Sequence, residues 1–465
     1  MLFNSFEFII FFVVVTILYF LLAFRYRWLL LLSASCFFYM FFKPEYILIL
    51  LFTIIIDYYV GIFLERTADQ KKRKRILVIS LIANISILAV FKYYNFINDN
   101  ITGLASLLGF KNHIPYLHMI LPIGLSFHTF QAMSYTIEVY RKNQHSEKHF
   151  GYYALYVMYY PQLVAGPIER PQNVLHQFKK KYFFDYDRVV SGLRQMLWGF
   201  FKKIVIADKF ALFVNTYYSN LHETSSSSIF PILFFSIQIY CDFSSYSDIA
   251  LGASRVMGIE LMKNFNYPYF SASITEFWRR WHISLSSWFR DYVYIPLGGS
   301  QSSSKWKIYK NLMIVFMISG IWHGANWTFI VWGALHGLLV IAERIFKLDR
   351  NKGIPATLIT FSIVSLIWVF FRAENFSQSL QIFNNLKYWN FKYSEGQEVG
   401  SLITYLGLIL FLFVIEFIQN RKKVITIFEL IKPKWARMIC YVAIVEIILI
   451  SFNKSIAQQF IYFQF

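Results

Sequence analysis

The sequence predicts an all-α, polytopic integral membrane protein, and three observations carry that prediction. Of 465 residues, 57% are hydrophobic, and no hydrophilic stretch is long enough for a soluble domain. The mean hydropathy is +0.45. The chain holds 51 Phe, 32 Tyr and 12 Trp, an aromatic excess that suits helices with rings packed inside and at both membrane interfaces. The positive residues behind the net charge of +19 fall largely in short loops between apolar runs. A soluble protein of that charge would suggest a nucleic acid partner. Here the charge reads instead as the topology signal of cytoplasmic loops, with attraction to anionic lipid, and nucleic acid is excluded.

The first four spans are expected at 6–24, 28–42 (short), 46–64 and 76–94. The first lacks a basic leading region and a small-residue cleavage site, so it reads as a helix and not as a signal peptide. ERTADQKKRKR (65–75) is the densest basic cluster and is expected as a cytoplasmic loop. Counting back puts RYR (25–27) on the same side and the N-terminus outside. Residues 95–118 are expected as an outer loop, 120–140 as a fifth and more polar span, and RKNQHSEKH (141–149) as a return to the cytoplasm.

From 150 to 300 the alternation breaks down. YYPQLVAGPIERPQ (159–172), LRQMLWGFFKKIVIADKF (193–210), CDFSSYSDIALGASRVMGI (241–259) and NFNYPYF (264–270) mix apolar pieces with Pro, Gly and polar residues. Interrupted segments persist at membrane depth only when buried in protein or lining a wet cavity, so short, tilted or re-entrant helices around a site are expected. Regular spans resume at 311–345 (one span plus a broken one), 356–371, 401–418 and 438–453. SSSS (225–228) and SQSSSK (300–305) read as loop tips. No internal repeat is visible.

Cys36, Cys241 and Cys440 show no CxxC or metal spacing, and packing is the expected role of Cys241. Asp242 and Asp248 are expected to break or cap helices, and no metal site is expected. Signatures such as GxSxG, HExxH, a Walker loop or GxGxxG before a strand are absent from the sequence.

Two stretches could carry chemistry. In ITEFWRRWHISLSSWFRDYVY (274–294), a helical period puts Phe277, Trp281, Leu285, Trp288 and Tyr292 on one face, with Trp278 and Phe289 beside them. Glu276, Arg279, Arg280, Arg290, Asp291 and three serines take the other, the pattern of an amphipathic interfacial helix. His282 falls at the border: an interfacial ring, or a polar wall of a substrate funnel. Arg279 and Arg290 suit a phosphate-bearing ligand or a lipid headgroup. In SGIWHGANWTF (319–329), His323 lies in a far more apolar setting. On one helix it would share a face with Asn326 and Trp327. Gly320 and Gly324 permit close approach of another helix or a ligand. A neutral imidazole there could take a proton from an alcohol, or be a buried ring satisfied by one hydrogen bond. His336, about 220° further round such a helix, and His128 are expected to pack.

YYPQLVAGPIERPQ, CDFSSYSDIALGASRVMGI, NFNYPYFSASITEFWRRWHISLSSWFRDYVYIPLGG and SGIWHGANWTFIVWGALHG, in that order over about 159–337, resemble the membrane-bound O-acyltransferases, in particular the bacterial alginate O-acetyltransferase branch. The resemblance implies one membrane-embedded domain over 1–465, with roughly eleven membrane helices and short re-entrant helices around a central funnel. It implies that His323 is the family's invariant histidine and that His282 matches the second histidine of this branch. Asn326, Trp327, Trp322, Arg279 and Trp281, which flank the two, are assigned to substrate binding. The implied donor is acetyl-CoA or an acyl carrier, with no bound cofactor. The acceptor is an extracytoplasmic polysaccharide. A separate extracytoplasmic SGNH-type acetyltransferase is the implied partner, and the bacterial inner membrane the location. D-alanyl transfer to teichoic acid is the neighbouring alternative. A transporter or channel, which broken helices with His and Arg also suit, and a non-catalytic scaffold are the alternatives of other classes.

Overall fold

The structure is a computed structural model and describes residues 1–118, 122–164, 166–221, 226–301, 304–348, 352–391, 399–452 and 460–461. Outside them lie the start of the expected fifth span at 120–121, Ala165 of the first motif, residue 225 and positions 302–303 of the two serine-rich tips, and residue 453 of the last span. Regular structure among the described residues is helical throughout. Among the described residues, six helices are long and apolar enough to cross a membrane: Pro44–Arg66, Gln70–Leu107, Ile229–Val256, Trp327–Phe346, Ile354–Arg372 and Leu402–Lys422. The chain divides into two compact units, Met1–Gly192 with Ala250–Met262, and Leu193–Ile249 with Lys263–Phe465.

The first unit begins with α1 (Phe6–Leu21), α2 (Phe24–Met40), α3 (Ile47–Arg66) and α4 (Gln70–Leu88), close to the four apolar runs. Most of the basic cluster expected as a loop is the first turns of α4, because Asp69 caps that helix through Lys71 N (2.8 Å). Arg73 turns inward and donates to the carbonyls of Leu64, Val139 (3.1 Å) and Tyr140 (2.8 Å). These carbonyls lie in the last turns of α3 and of α6 (Leu125–Tyr140), where the helical ladder runs out, so the guanidinium serves as a C-terminal cap. Buried Asp57 on α3 accepts from Ser80 Oγ (2.6 Å) and Asn84 Nδ2 (2.9 Å) on α4. Polar contacts of this kind join helices where lipid offers no alternative partner. His128 is buried and bonded to Thr53 Oγ1 (2.7 Å), in keeping with a packing role.

The expected outer loop is corrected in part. After a π-helical turn at Ala89–Tyr93, α5 (Tyr94–Leu107) continues α4, giving one helix of 38 residues. The polar residues that suggest a loop bind the returning segment instead: Asn95 Nδ2 donates to Leu117 O (2.8 Å) and Asn98 Nδ2 to Ile114 O (3.1 Å). From residue 150 through the first motif the chain forms short helices as expected, α7 (Phe150–Met158), α8 (Tyr160–Leu163) and α9 (Pro171–Val174). Between α8 and α9, buried Glu169 accepts from the backbone of Met262 and holds the 257–262 turn.

The second unit contains the end of α10 (Tyr186–Phe200), α11 (Asp208–Ser219) and α12 (Ile229–Val256) as far as Ile249. Here CDFSSYSD is not a helix interruption. It lies inside α12, which runs unbroken for 28 residues. Asp242 and Asp248 are neither breaks nor caps. Lys203, in the π-helical stretch Phe201–Ala207, pairs with Asp242 (2.6 Å) and Asp208 (2.8 Å). Lys202 pairs with Asp248 (2.7 Å) and donates to Ser244 Oγ (2.7 Å). Side chains so engaged do not compete for their own backbone, so the helix continues.

The expected amphipathic helix over 274–294 is also corrected. It is α13 (Ile274–Arg280) and α14 (Ile283–Phe289), broken at Trp281–His282 and followed by a π-helical turn at Arg290–Tyr294. His282 has φ 43° and ψ 55°, a left-handed conformation that costs a side chain with a Cβ about 1–2 kcal/mol. NFNYPYF holds the break open: Asn266 N donates to Arg280 O and Ile283 N to Asn264 O, both 2.9 Å. Glu343 accepts from the Ile274 backbone and from Thr275 N (2.9 Å), satisfying the start of α13.

α15 (Lys305–His323) and α16 (Trp327–Phe346) form the broken pair expected over 311–345, and α17 (Ile354–Arg372) packs on α16. A Cβ on Gly320 would collide with the Phe329 carbonyl, and one on Gly333 with the Phe316 carbonyl, so the two backbones touch at these glycines. α18 (Phe376–Asn384), α19 (Val399–Lys422) and α20 (Lys434–Ser451) complete the unit.

Candidate active site

The helix-face arrangement expected for SGIWHGANWTF does not form. α15 ends at His323, Gly324 is extended, and Asn326 starts the next helix. Asn326 Oδ1 accepts from Thr328 N (3.0 Å), and its Nδ2 donates to Glu374 O (2.7 Å). Asn326 therefore caps α16 and ties it to the end of α17, and it does not lie beside His323 on one face. Trp327 is 57% exposed.

His323 itself is buried, with Trp322 (4.9 Å between ring centroids), Trp332 (5.0 Å) and Phe371 (5.3 Å) around it. The break at 324–326 folds α16 back along α15. His323 and His336, which one continuous helix would hold apart, consequently sit against the same ring: Trp332 is 5.0 Å from each. His336 is fully buried, as a packing role requires, and its Nδ1 accepts from Trp278 Nε1 (3.3 Å).

His282 occupies the α13–α14 break, fully buried against Phe243 (4.6 Å). Its Nδ1 lies 3.1 Å from Asn264 Oδ1, which also accepts from Ser284 N (3.2 Å) and Ser284 Oγ (3.0 Å). The Ser284 amide can only donate, so that Asn264 atom is the carbonyl oxygen. His282 Nδ1 must then carry a proton, which leaves the ring's acceptor at Nε2 when the ring is neutral.

A chain of rings joins the two histidines. Phe265 contacts His282 (6.5 Å) and Trp281 (5.1 Å); Trp281 contacts Trp368 (5.1 Å), Trp368 contacts Trp332 (5.9 Å), and Trp332 contacts His323. The structure thus brings His323, Trp322, Trp281 and His282 into one aromatic body. Arg279 is exposed on the last turn of α13, beside the Arg280–Glu276 pair (2.5 Å), and Trp327 is exposed as well.

Sequence reasoning missed Asn264, Trp332, Trp368 and Phe371. Asn264 alone left a signal, as the polar residue opening NFNYPYF. The aromatic residues look like any others in apolar runs. No group of three or more His, Cys, Asp or Glu side chains among the described residues has metal-holding geometry.

The comparisons with known proteins bear on the same segment. The model of the membrane-bound O-acyltransferase family matches residues 144–352. The probable alginate O-acetylase AlgI of Pseudomonas aeruginosa is 36% identical over 425 residues, 88% of this chain and 81% of that protein. The peptidoglycan O-acetyltransferase of Helicobacter pylori is 38% identical, over 74% of this chain and 70% of its own length. The teichoic acid D-alanyltransferase of Bacillus subtilis is 29% identical, over 57% and 72%.

Proposed function

The chain belongs to the membrane-bound O-acyltransferase family, and from that premise we propose that it transfers an acetyl group from acetyl-CoA toward hydroxyls of an extracytoplasmic polysaccharide. The observation that carries this reading is His323, enclosed by Trp322, Trp332 and Phe371 at a helix end inside the segment the family model matches. The imidazole takes the proton of the attacking hydroxyl as that oxygen bonds to the thioester carbonyl carbon. When the C–S bond breaks, the proton passes to the leaving thiol. In this reading the acceptor is a sugar of alginate-like exopolysaccharide or of cell-wall glycan, or a residue of an SGNH-type extracytoplasmic partner that relays the acetyl group.

His282, its tautomer fixed by Asn264, orients the acceptor. Trp281 and Trp322 belong to the aromatic body that excludes water. Asn326 acts as a positioning residue, since it joins the helix bearing Trp332 to the segment following Phe371. Arg279 and Trp327, both exposed, serve the outer approach of donor or acceptor. The proposed setting is the bacterial inner membrane with the N-terminus outside, as the basic clusters of the first loops suggest. D-alanyl transfer from a carrier protein to teichoic acid is the second reading, supported by the lower-identity match.

The test is labelled acetyl transfer from acetyl-CoA by the protein in nanodiscs, wild type beside His323→Ala. Positioned general-base catalysis contributes about 10²- to 10⁴-fold, so the variant should lose at least that range of turnover while keeping its melting temperature. Near-normal transfer by His323→Ala would remove His323 from the chemistry. Transfer of D-alanyl but not acetyl groups would select the second reading.

A further inference from the structure

We infer that Trp332 and His336 supply the hydrogen bonds that stabilise the oxyanion formed at the acyl carbonyl during transfer, an assignment that rests on the acyl-transfer reading above. A tryptophan Nε1 can only donate, so the contact from Trp278 Nε1 makes His336 Nδ1 an acceptor (3.3 Å). A ring that accepts at Nδ1 is the neutral tautomer with its proton on Nε2. That Nε2–H is fully buried and has no acceptor among the described residues.

One helical turn earlier on α16, Trp332 Nε1–H is in the same condition, fully buried and without an acceptor among the described residues. Buried N–H groups are nearly always satisfied, and each exception calls for an explanation. Two exceptions four residues apart on one helix face, in rings 5.0 Å apart, call for a shared one.

The position of His323 supplies it. Both His323 and His336 pack against Trp332, at 5.0 Å each. An acyl carbonyl held next to His323 therefore lies within the surroundings of Trp332. As the acceptor oxygen bonds to the carbonyl carbon, the carbonyl π pair moves onto oxygen. The negative charge then sits among tryptophan and phenylalanine rings, where water cannot reach it. Two fixed N–H donors answer that charge without reorganising, because their rings are already locked by packing. The pair re-forms the C=O bond as the C–S bond breaks, and both donors end the cycle unchanged. A proton-accepting role for His336 is excluded by the same tautomer, since its one acceptor atom is occupied by Trp278.

The experiment is steady-state transfer in nanodiscs with Trp332→Phe, His336→Phe and His336→Gln, using acetyl-CoA and an acetylated carrier protein as donors. Removing one oxyanion donor costs about 10²- to 10³-fold in kcat. Trp332→Phe and His336→Phe should each show such a loss, with the donor KM changed by less than about threefold, the mark of an interaction made only in the transition state. His336→Gln keeps an amide N–H in place of Nε2 and an oxygen for Trp278, and it should recover at least about tenfold over His336→Phe. A purely structural role predicts otherwise: kcat losses that follow the fall in melting temperature, and no advantage of Gln over Phe. Either result overturns the assignment while wild-type transfer stands. Silence of the wild type with both donors overturns the acyl-transfer reading, and this assignment with it.

Discussion

At Asn264 one atom accepts three hydrogen bonds, and its replacement by alanine tests how His282 is held. The Oδ1 atom accepts from His282 Nδ1, Ser284 N and Ser284 Oγ. The Ser284 hydroxyl can rotate to another partner; the ring N–H and the amide N–H cannot. Both are buried with residues of 0% exposure. Leaving a buried donor unmatched costs about 1–3 kcal/mol, so Asn264→Ala should lose about 2–6 kcal/mol of stability. The His282 tautomer would no longer be imposed, and the left-handed backbone at that residue would lose its local support. Denaturant unfolding in lipid nanodiscs, followed by tryptophan fluorescence, measures the first effect, and labelled acyl transfer the second. Asn264→Asp is the control. Its carboxylate accepts the same three donors and should recover more than half of both losses. A variant Asn264→Ala within about 0.5 kcal/mol of wild type and with full transfer would refute the derivation.

Other consequences are open to measurement. Lys203→Met leaves Asp242 and Asp208 buried without their cation and should cost about 3–5 kcal/mol in the same unfolding assay, with part recovered by adding Asp242→Asn. Gly320→Ala drives a Cβ into the Phe329 carbonyl, which is backbone and cannot step aside; a loss of about 1–3 kcal/mol is expected, visible as a lower melting temperature. Trp327→Ala and Arg279→Ala touch exposed side chains and should raise the donor or acceptor KM with kcat within about twofold of wild type. A large kcat loss in either would move that residue into the reaction chamber.

Much of the architecture is legible in the chain because lipid imposes a one-dimensional rule: apolar runs become helices and basic clusters mark their ends. The bounds of α1, α3, α17 and α19 follow from that rule within a few residues. What the rule misreads are segments whose polarity is answered far along the chain. CDFSSYSD looks like an interruption until Lys202 and Lys203, about forty residues earlier, pair with its aspartates. The run 274–294 has a clean helical period, yet it breaks at His282 because Asn264 and Asn266 offer its backbone other partners. Residues 95–107 look like loop because their asparagines are polar, although those side chains bind the segment that returns. His323 and His282 are visible as motif residues, whereas Trp332 and His336 gain meaning only once Gly324–Asn326 reverses the chain.

The Lys202–Asp248 and Lys203–Asp242 pairs also bear on how the chain enters the bilayer. A lone lysine or aspartate at the centre of a span opposes insertion by about 2.5–3.5 kcal/mol, and Ile229–Val256 carries a hydropathy of only 1.2, the lowest of the six spans. Paired charges escape most of that penalty, so the two ion pairs let α12 keep its aspartates at membrane depth by joining it to the stretch that links α10 and α11.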